Sequence, residues 1–197
     1  SVIAIGRFAF EFCSSLANIN MPNGVTVINH GAFFGCTSLK SITIPKSTTW
    51  ISQLFLGCDS LISIVLAEGN TKYDSRDNCN AIIRTENNEL IMGCAATIIP
   101  DSVTKIVEEA FSHLSTLSSI VIPKGVKKIE SCAFNKCCNL ESITLPIGIN
   151  KIDELAFCDC HSLQTIYVPA KKAEYYKQRL NSNLHDKIVE LEPEMEN

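Results

Sequence analysis

Hydrophobic and polar positions recur along this chain with one long period. Taking the Ile that opens each copy as position zero, copies begin at Ile5, Ile28, Trp50, Ile106, Ile129 and Ile152. Phe follows five residues later (Phe10, Phe33, Phe55, Phe111, Phe134, Phe157). Leu follows at eleven (Leu16, Leu39, Leu61, Leu117, Leu140, Leu163), and Ile at fourteen (Ile19, Ile42, Ile64, Ile120, Ile143, Ile166). Pro closes five copies at seventeen (Pro22, Pro45, Pro123, Pro146, Pro169), with Ala67 in the third. The steps are 23, 22, 56, 23 and 23 residues. A period of this size marks a stacked repeat in which no unit can bury its own apolar face.

Each unit predicts its own parts. In L-x-x-I-x-I-P the last residues alternate, so Ile42 and Ile44 point inward and Thr43 outward. Pro cannot donate to a ladder and ends the strand. The A-F-x-x-C segment suits a turn or two of helix, with Phe and Cys three apart on one face. Trp50 takes the position-zero core slot in its copy, with a ligand platform as the alternative.

The units V-x-x-I-x3-A-F-x2-C-x-x-L-x-x-I-x-[ILV]-P resemble the leucine-rich repeats, and more closely their BspA-like branch, the Treponema pallidum type, over residues 2–169. The resemblance implies an α/β leucine-rich repeat solenoid, a right-handed superhelix with a parallel sheet on its concave face. Short helical turns and short strands would form the other sides. It further implies a bacterial cell-surface or extracellular setting and a role in adhesion or recognition.

The 56-residue step holds residues 68–100. Ile99 and Pro100 keep the register, which places Ile83 at position zero of one aberrant repeat. IIRTENNELIMG reads as a hairpin replacing the helical part. In the polar loop 72–78, Asp74 and Asp77 lack the spacing of a calcium loop, so an ordinary solvated loop is expected. The array thus runs over 1–169. Residues 170–191 form a C-terminal cap, with Ala173, Tyr176 and Leu180 on one helical face and DKIVELE as a last strand. Residues 192–197 are expected to be a disordered acidic tail.

Charge and cysteine content narrow the chemistry. Net charge is −4, and the tail alone accounts for it, so no basic stripe suggests a nucleic-acid partner. No apolar run is long enough to insert in a membrane. The beginning SVIAIGRFAF lacks the marks of a signal peptide, and we read it as cut from a longer chain. Five of ten cysteines occupy position eight (Cys13, Cys36, Cys58, Cys137, Cys160), and Leu114 fills that position in the remaining copy. Leu can replace a packed thiol but neither a disulfide partner nor a metal ligand, which favours reduced core cysteines. Cys158-x-Cys160-His161 and Cys132-x4-Cys137-Cys138 lack zinc-site pairing. None of His30, His113, His161 and His185 is spaced with a carboxylate for nucleophilic catalysis. No cofactor motif, metal site or catalytic set emerges, and a thiol or metal enzyme is the remote alternative.

What remains is surface. Positions thirteen and fifteen should face solvent on the sheet: Asn18 and Asn20, Ser41 and Thr43, Ser63 and Val65, Ser119 and Val121, Ser142 and Thr144, Thr165 and Tyr167. They read either as a Ser/Thr ladder favouring β structure or as a shallow, nearly uncharged binding face for a protein or glycan. The expected molecule is a monomeric, non-enzymatic binding module. A structural spacer with no ligand on the sheet is the alternative.

Overall fold

The computed structural model describes residues 2–192. The chain is a solenoid of stacked parallel coils. In chain order the strands are β1 (Ala4–Ile5), β2 (Val27–Ile28), β3 (Ser41–Ile44), β4 (Trp50–Ile51), β5 (Ser63–Leu66), β6 (Tyr73–Asp74), β7 (Ala81–Arg84) and β8 (Glu89–Gly93). They continue with β9 (Lys105–Ile106), β10 (Ser119–Val121), β11 (Lys128–Ile129), β12 (Ser142–Thr144), β13 (Lys151–Ile152) and β14 (Thr165–Val168). Helix α1 (Ala173–Lys177) and strand β15 (Ile188–Glu190) follow.

Each regular coil has three sides: a two-residue strand at position zero, a turn segment carrying Phe, and, from the second coil onward, a longer strand. The longer strands pair in parallel, β3 with β5 and β10-β12-β14-β15 in one sheet. The short strands form β1-β2-β4 and a six-stranded sheet β13-β11-β9-β8-β7-β6. Partners on neighbouring coils are identical repeat positions, as in Ile120↔Ile143 and Ile143↔Ile166. This in-register stacking is why each column repeats its residue type.

The turn segments are successions of i→i+3 turns, not a continuous helix. Phe34 N–H donates to Gly31 C=O at 2.9 Å and Cys36 N–H to Phe33 C=O at 3.1 Å. The alternate donors cross to the next coil: Phe8 to His30, Phe10 to Ala32 and Phe12 to Phe34. This crossing requires left-handed residues two before and two after the buried Phe. They are Phe8 and Phe12, Gly31 and Gly35, Gly57, Glu109 and His113, Cys132 and Lys136, and Asp159. A regular helix would turn every donor back into its own coil. The alternation spends them on stacking instead.

Down the interior, Phe rings stack in two runs. Phe10–Phe33 and Phe33–Phe55 lie at centroid distances of 5.3 and 5.9 Å, Phe111–Phe134 and Phe134–Phe157 at 5.1 and 5.4 Å. Between the runs, Gly93 occupies the Phe slot. Its N–H donates to Ala110 C=O, the same link that Phe10 makes to Ala32. A Cβ there would lie 2.2 Å from the Phe111 ring, so only glycine fits.

Two register expectations are corrected. Trp50 is 58% exposed and pairs with Val27, while Ile51 pairs with Ile28 and is buried. Ile51 therefore holds position zero, the step is 23 residues, and one residue is missing between Ile51 and Phe55. A one-residue slip in a strand exchanges its inner and outer faces. Likewise Leu90, not Ile83, holds position zero in the interrupted unit, since Leu90 pairs with Ile106. The hairpin β7–β8 does form, with its turn at 85–88. It precedes the coil, and its second strand serves as the coil's short strand.

The hairpin is a wall between two interiors. Ala81, Ile83 and Leu90 join the core of the later coils, whereas Ile82, Ile91 and Met92 join that of the earlier ones. Both faces are buried, which is why these strands read as unbroken apolar runs. At the C-terminal end, Tyr176 of α1 is fully buried and its hydroxyl donates to Pro146 C=O. Leu180 is also buried and Ala173 half-buried. Strand β15 adds to β14 in parallel. Glu192 is exposed, and the rest of the acidic tail lies outside the described residues.

Candidate functional site

The strand rows place the candidate face. Ser41 and Thr43 are exposed on β3, between buried Ile42 and Ile44. They pair with Ser63 and Val65 of β5. In the later sheet, Ser119, Ser142 and Thr165 form one row, and Val121, Thr144, Tyr167 and Val189 the next. All twelve residues expected to face outward are exposed or half-buried. Asn18 and Asn20 are exposed but lie outside any strand, so the row begins at the second coil. Sequence reading missed two members. Val189 extends the outer row from the cap, and Ile98, 79% exposed, stands one period before Val121. The signal for Ile98 was present, because Ile99 and Pro100 had already fixed the register.

The face carries hydroxyl, aliphatic and phenol groups and no ionised side chain. Charge is gathered on the short-strand sheet instead. There Glu89 pairs with Arg84 and Lys105, and Glu130 with Lys128 at 2.7 Å and Lys105 at 3.5 Å. Desolvation works to raise the Glu130 pKa, but hydrogen bonding from Lys128 and the charge of Lys105 outweigh it and hold the group below its ordinary value. In the polar loop, Asp74 is clamped by Arg76, with Nε–Oδ1 at 2.8 Å and Nη2–Oδ2 at 2.6 Å. Arg76 Nη1 reaches Asn88 Oδ1 at 2.7 Å, tying the loop to the hairpin turn.

The position-eight thiols have a defined task. Cys36, Cys58, Cys137 and Cys160 each donate S–H to the backbone carbonyl of the Phe one coil earlier, at 3.0, 3.0, 3.1 and 3.0 Å. They are polar rungs between coils as well as packing groups. Burial pushes the Cys58 and Cys160 thiols up to about 12, and raises Cys36 and Cys137 as well. A nucleophile needs the reverse shift. The expectation of a fully buried column fails at Cys13, which is exposed, and at Cys160, which is half-buried. Leu114, the copy without Cys, follows the coil where Gly93 has replaced Phe.

The histidines are dispersed. His30 Nδ1 lies 3.3 Å from Gln53 Oε1, His113 Nδ1 lies 2.9 Å from Ser112 Oγ, and His185 Nε2 lies 3.2 Å from Leu180 C=O. His161 is exposed. Among the described residues no cluster of three His, Cys, Asp or Glu side chains is placed to hold a metal ion. Among them, too, no helix is long and apolar enough to cross a membrane.

Comparison with known proteins agrees with this architecture. The family model for the BspA type leucine-rich repeat region matches in six copies, over residues 1–86 and 92–192. No curated protein matches the chain. Among solved structures, a leucine-rich cell surface protein of Faecalibacterium prausnitzii is similar at 25% identity and TM-score 0.51, covering 89% of this chain and 59% of its own. The pneumococcal vaccine antigen PcpA is similar at 18% identity and TM-score 0.57, covering 97% of this chain and 66% of its own. A leucine-rich repeat protein of Bacteroides ovatus gives 22% identity and TM-score 0.52, covering 99% and 57%. This chain therefore spans less than two thirds of the length of each. With its coils, its Phe column and the family model extending over nearly all of it, the chain belongs to the BspA-type leucine-rich repeat family.

Proposed function

We propose that this chain is a non-enzymatic binding module of a bacterial cell-surface or secreted protein, and that its concave sheet takes a protein or glycan ligand in adhesion or recognition. The observation that carries the reading is the sheet face itself: two in-register rows of Ser, Thr, Val and Tyr side chains, free of ionised groups. Solenoids present such extended faces to partners. The cell-surface description of the F. prausnitzii relative supports the extracellular setting. Raised thiol pKa values and dispersed histidines support the non-enzymatic part.

The test is an array of host matrix proteins, glycans and bacterial surface components screened with the folded chain. A saturable ligand is expected, whose affinity falls about tenfold in Tyr167→Lys, a loss of roughly 1.4 kcal/mol. A ligand indifferent to Tyr167→Lys, Thr144→Lys and Thr43→Lys would leave the sheet as a structural spacer.

A further inference from the structure

Position eight holds one isolated pair of cysteines. Cys137 and Cys160 occupy it in consecutive coils, and Leu114 occupies it in the coil before. Cys137 therefore has a single sulfur neighbour in the column. In the earlier coils Cys36 lies between Cys13 and Cys58 and has two.

The coils of Cys137 and Cys160 are held in register on both sides of the turn, by Ile129↔Ile152 and Ile143↔Ile166. Within the turn, Phe134 N–H donates to Ala156 C=O at 2.8 Å and Lys136 N–H to Cys158 C=O at 2.9 Å. Equivalent Cα atoms on backbones paired in this way stand about 4.8 Å apart. A disulfide spans about 4.4–6.8 Å between Cα atoms. The polar groups converge as well. Phe134 C=O, in the coil of Cys137, accepts both the Cys137 N–H at 3.1 Å and the Cys160 S–H at 3.0 Å. Cys160 Sγ thus already points into the gap toward the coil of Cys137. Cys137 Sγ points the other way, to Phe111 C=O at 3.1 Å, and a change of rotamer about its Cα–Cβ bond turns it to face Cys160. Cys160 is half-buried and reaches the surface in part, while Cys137 is buried.

We propose that Cys137 and Cys160 form a redox latch: two hydrogen-bonded rungs when reduced, and one disulfide staple between their coils when a low-molecular-weight disulfide oxidises them. The Cys160 thiolate attacks one sulfur of the small disulfide, whose S–S bond breaks and whose other half leaves as a thiol. The Cys137 thiolate then attacks Cys160 Sγ, and the second half leaves. Two protein thiols are oxidised, one small disulfide is reduced to two thiols, and the two cysteine protons end on those thiols. Burial raises both cysteines, so the exchange is slow and stoichiometric, unlike that of a catalytic dithiol. The supply of oxidant rests on the extracellular setting proposed above. The pairing itself does not.

The test incubates the folded chain with glutathione disulfide, alkylates the remaining thiols and maps the peptides by mass spectrometry, beside Cys137→Ser and Cys160→Ser. The expected product is a Cys137–Cys160 cross-linked peptide, two hydrogens lighter than its parts and abolished by dithiothreitol. Cys137→Ser should instead retain glutathione on Cys160, since no thiol one coil back displaces it. The oxidised parent should survive proteolysis in urea about tenfold longer than the reduced parent, with no such gain in either variant. The parent alone decides the pairing, and it needs no ligand, so failure of the latch and failure of the binding reading are separate results. Alkylation of both cysteines after exposure, glutathione left on Cys160 of the parent, or bridges from Cys160 to Cys158 or from Cys137 to Cys138 would each overturn the latch. A mapped Cys137–Cys160 bridge with unchanged proteolysis would overturn its role as a staple.

Discussion

Asp59 and Ser115 touch across 56 residues of sequence: the Ser115 N–H donates to Asp59 Oδ1 at 3.2 Å. Beside it, the Thr116 hydroxyl donates to Asp59 C=O at 3.1 Å. The turn side of the third regular coil thus meets the turn side of the coil after the interruption directly. On the opposite side, β6 and β7 are inserted between the same two coils. The interrupted unit is thick on one flank and thin on the other.

Asp59→Ala should weaken this join by about 1 kcal/mol, through the loss of one acceptor for a backbone donor. Asp59→Asn keeps an acceptor oxygen and should stay close to the parent. Urea denaturation of the three proteins checks the order.

Met92 closes the same gap from inside. Its Sδ accepts from Leu54 N–H at 3.3 Å and Phe55 N–H at 3.4 Å, where a regular coil would offer a carbonyl. Met92→Leu preserves volume and leaves two buried donors without their acceptor. A loss of roughly 1–3 kcal/mol is expected, far above an ordinary Met–Leu exchange. Thermal melting of Met92→Leu, with the buried Ile91→Leu as a volume control, measures it.

The left-handed turn positions predict stabilisation. Lys136 and Glu109 hold φ of 57° and 59°, where a side chain costs roughly 1–2 kcal/mol. Lys136→Gly removes that strain against a smaller entropic cost of glycine in the unfolded chain. A net gain of up to about 1 kcal/mol should follow. Asn135→Gly, beside it without a positive φ, should destabilise. Gly35→Ala should destabilise most, since its Cβ would lie 2.5 Å from the Phe12 ring at a φ of 69°.

The thiol rungs make the fold sensitive to alkali. Folded-state pKa values near 12 at Cys58 and Cys160 lie above the ordinary thiol range of about 8.5. Above that range the unfolded chain releases protons that the folded chain retains, so stability falls as pH rises toward the folded values. Each such thiol contributes a slope of up to about 1.4 kcal/mol per pH unit. Below about pH 8.5 neither state ionises and the contribution is flat. Melting temperature followed from about pH 8.5 upward should decline, and Cys58→Ala should decline less steeply from a lower start.

The columns were legible because a stacked interior demands the same residue in every coil. Phe33, Leu39 and Ile42 could be assigned from spacing alone. The outward rows followed from alternation, except where the copy was irregular. Trp50 and Ile51 are both apolar and adjacent, and their sequence signals conflict: the 23-residue step points to Ile51, while the five-residue offset to Phe55 points to Trp50. Ile83 and Leu90 posed the same problem, because each lies in an apolar strand of one hairpin, and only pairing with Ile106 separates them. The left-handed positions were half visible. Gly31, Gly35 and Gly57 mark them, while Glu109, His113 and Lys136 adopt the same backbone with no signature. The thiol-to-carbonyl rungs were invisible, since the acceptor is main chain.

The wall of β7 and β8 also bears on how the molecule comes apart. In an uninterrupted array each coil is coupled to the next through one interior, and order spreads along it. Here, among the described residues, Val107 packs against both interiors, and the aromatic stack is cut at Gly93. The two halves meet mainly through a hairpin that belongs to both. Such a boundary lets one block of coils lose cooperativity while the other persists, so the repeat that departs from the pattern is where a pulling force or a denaturant would first divide the chain.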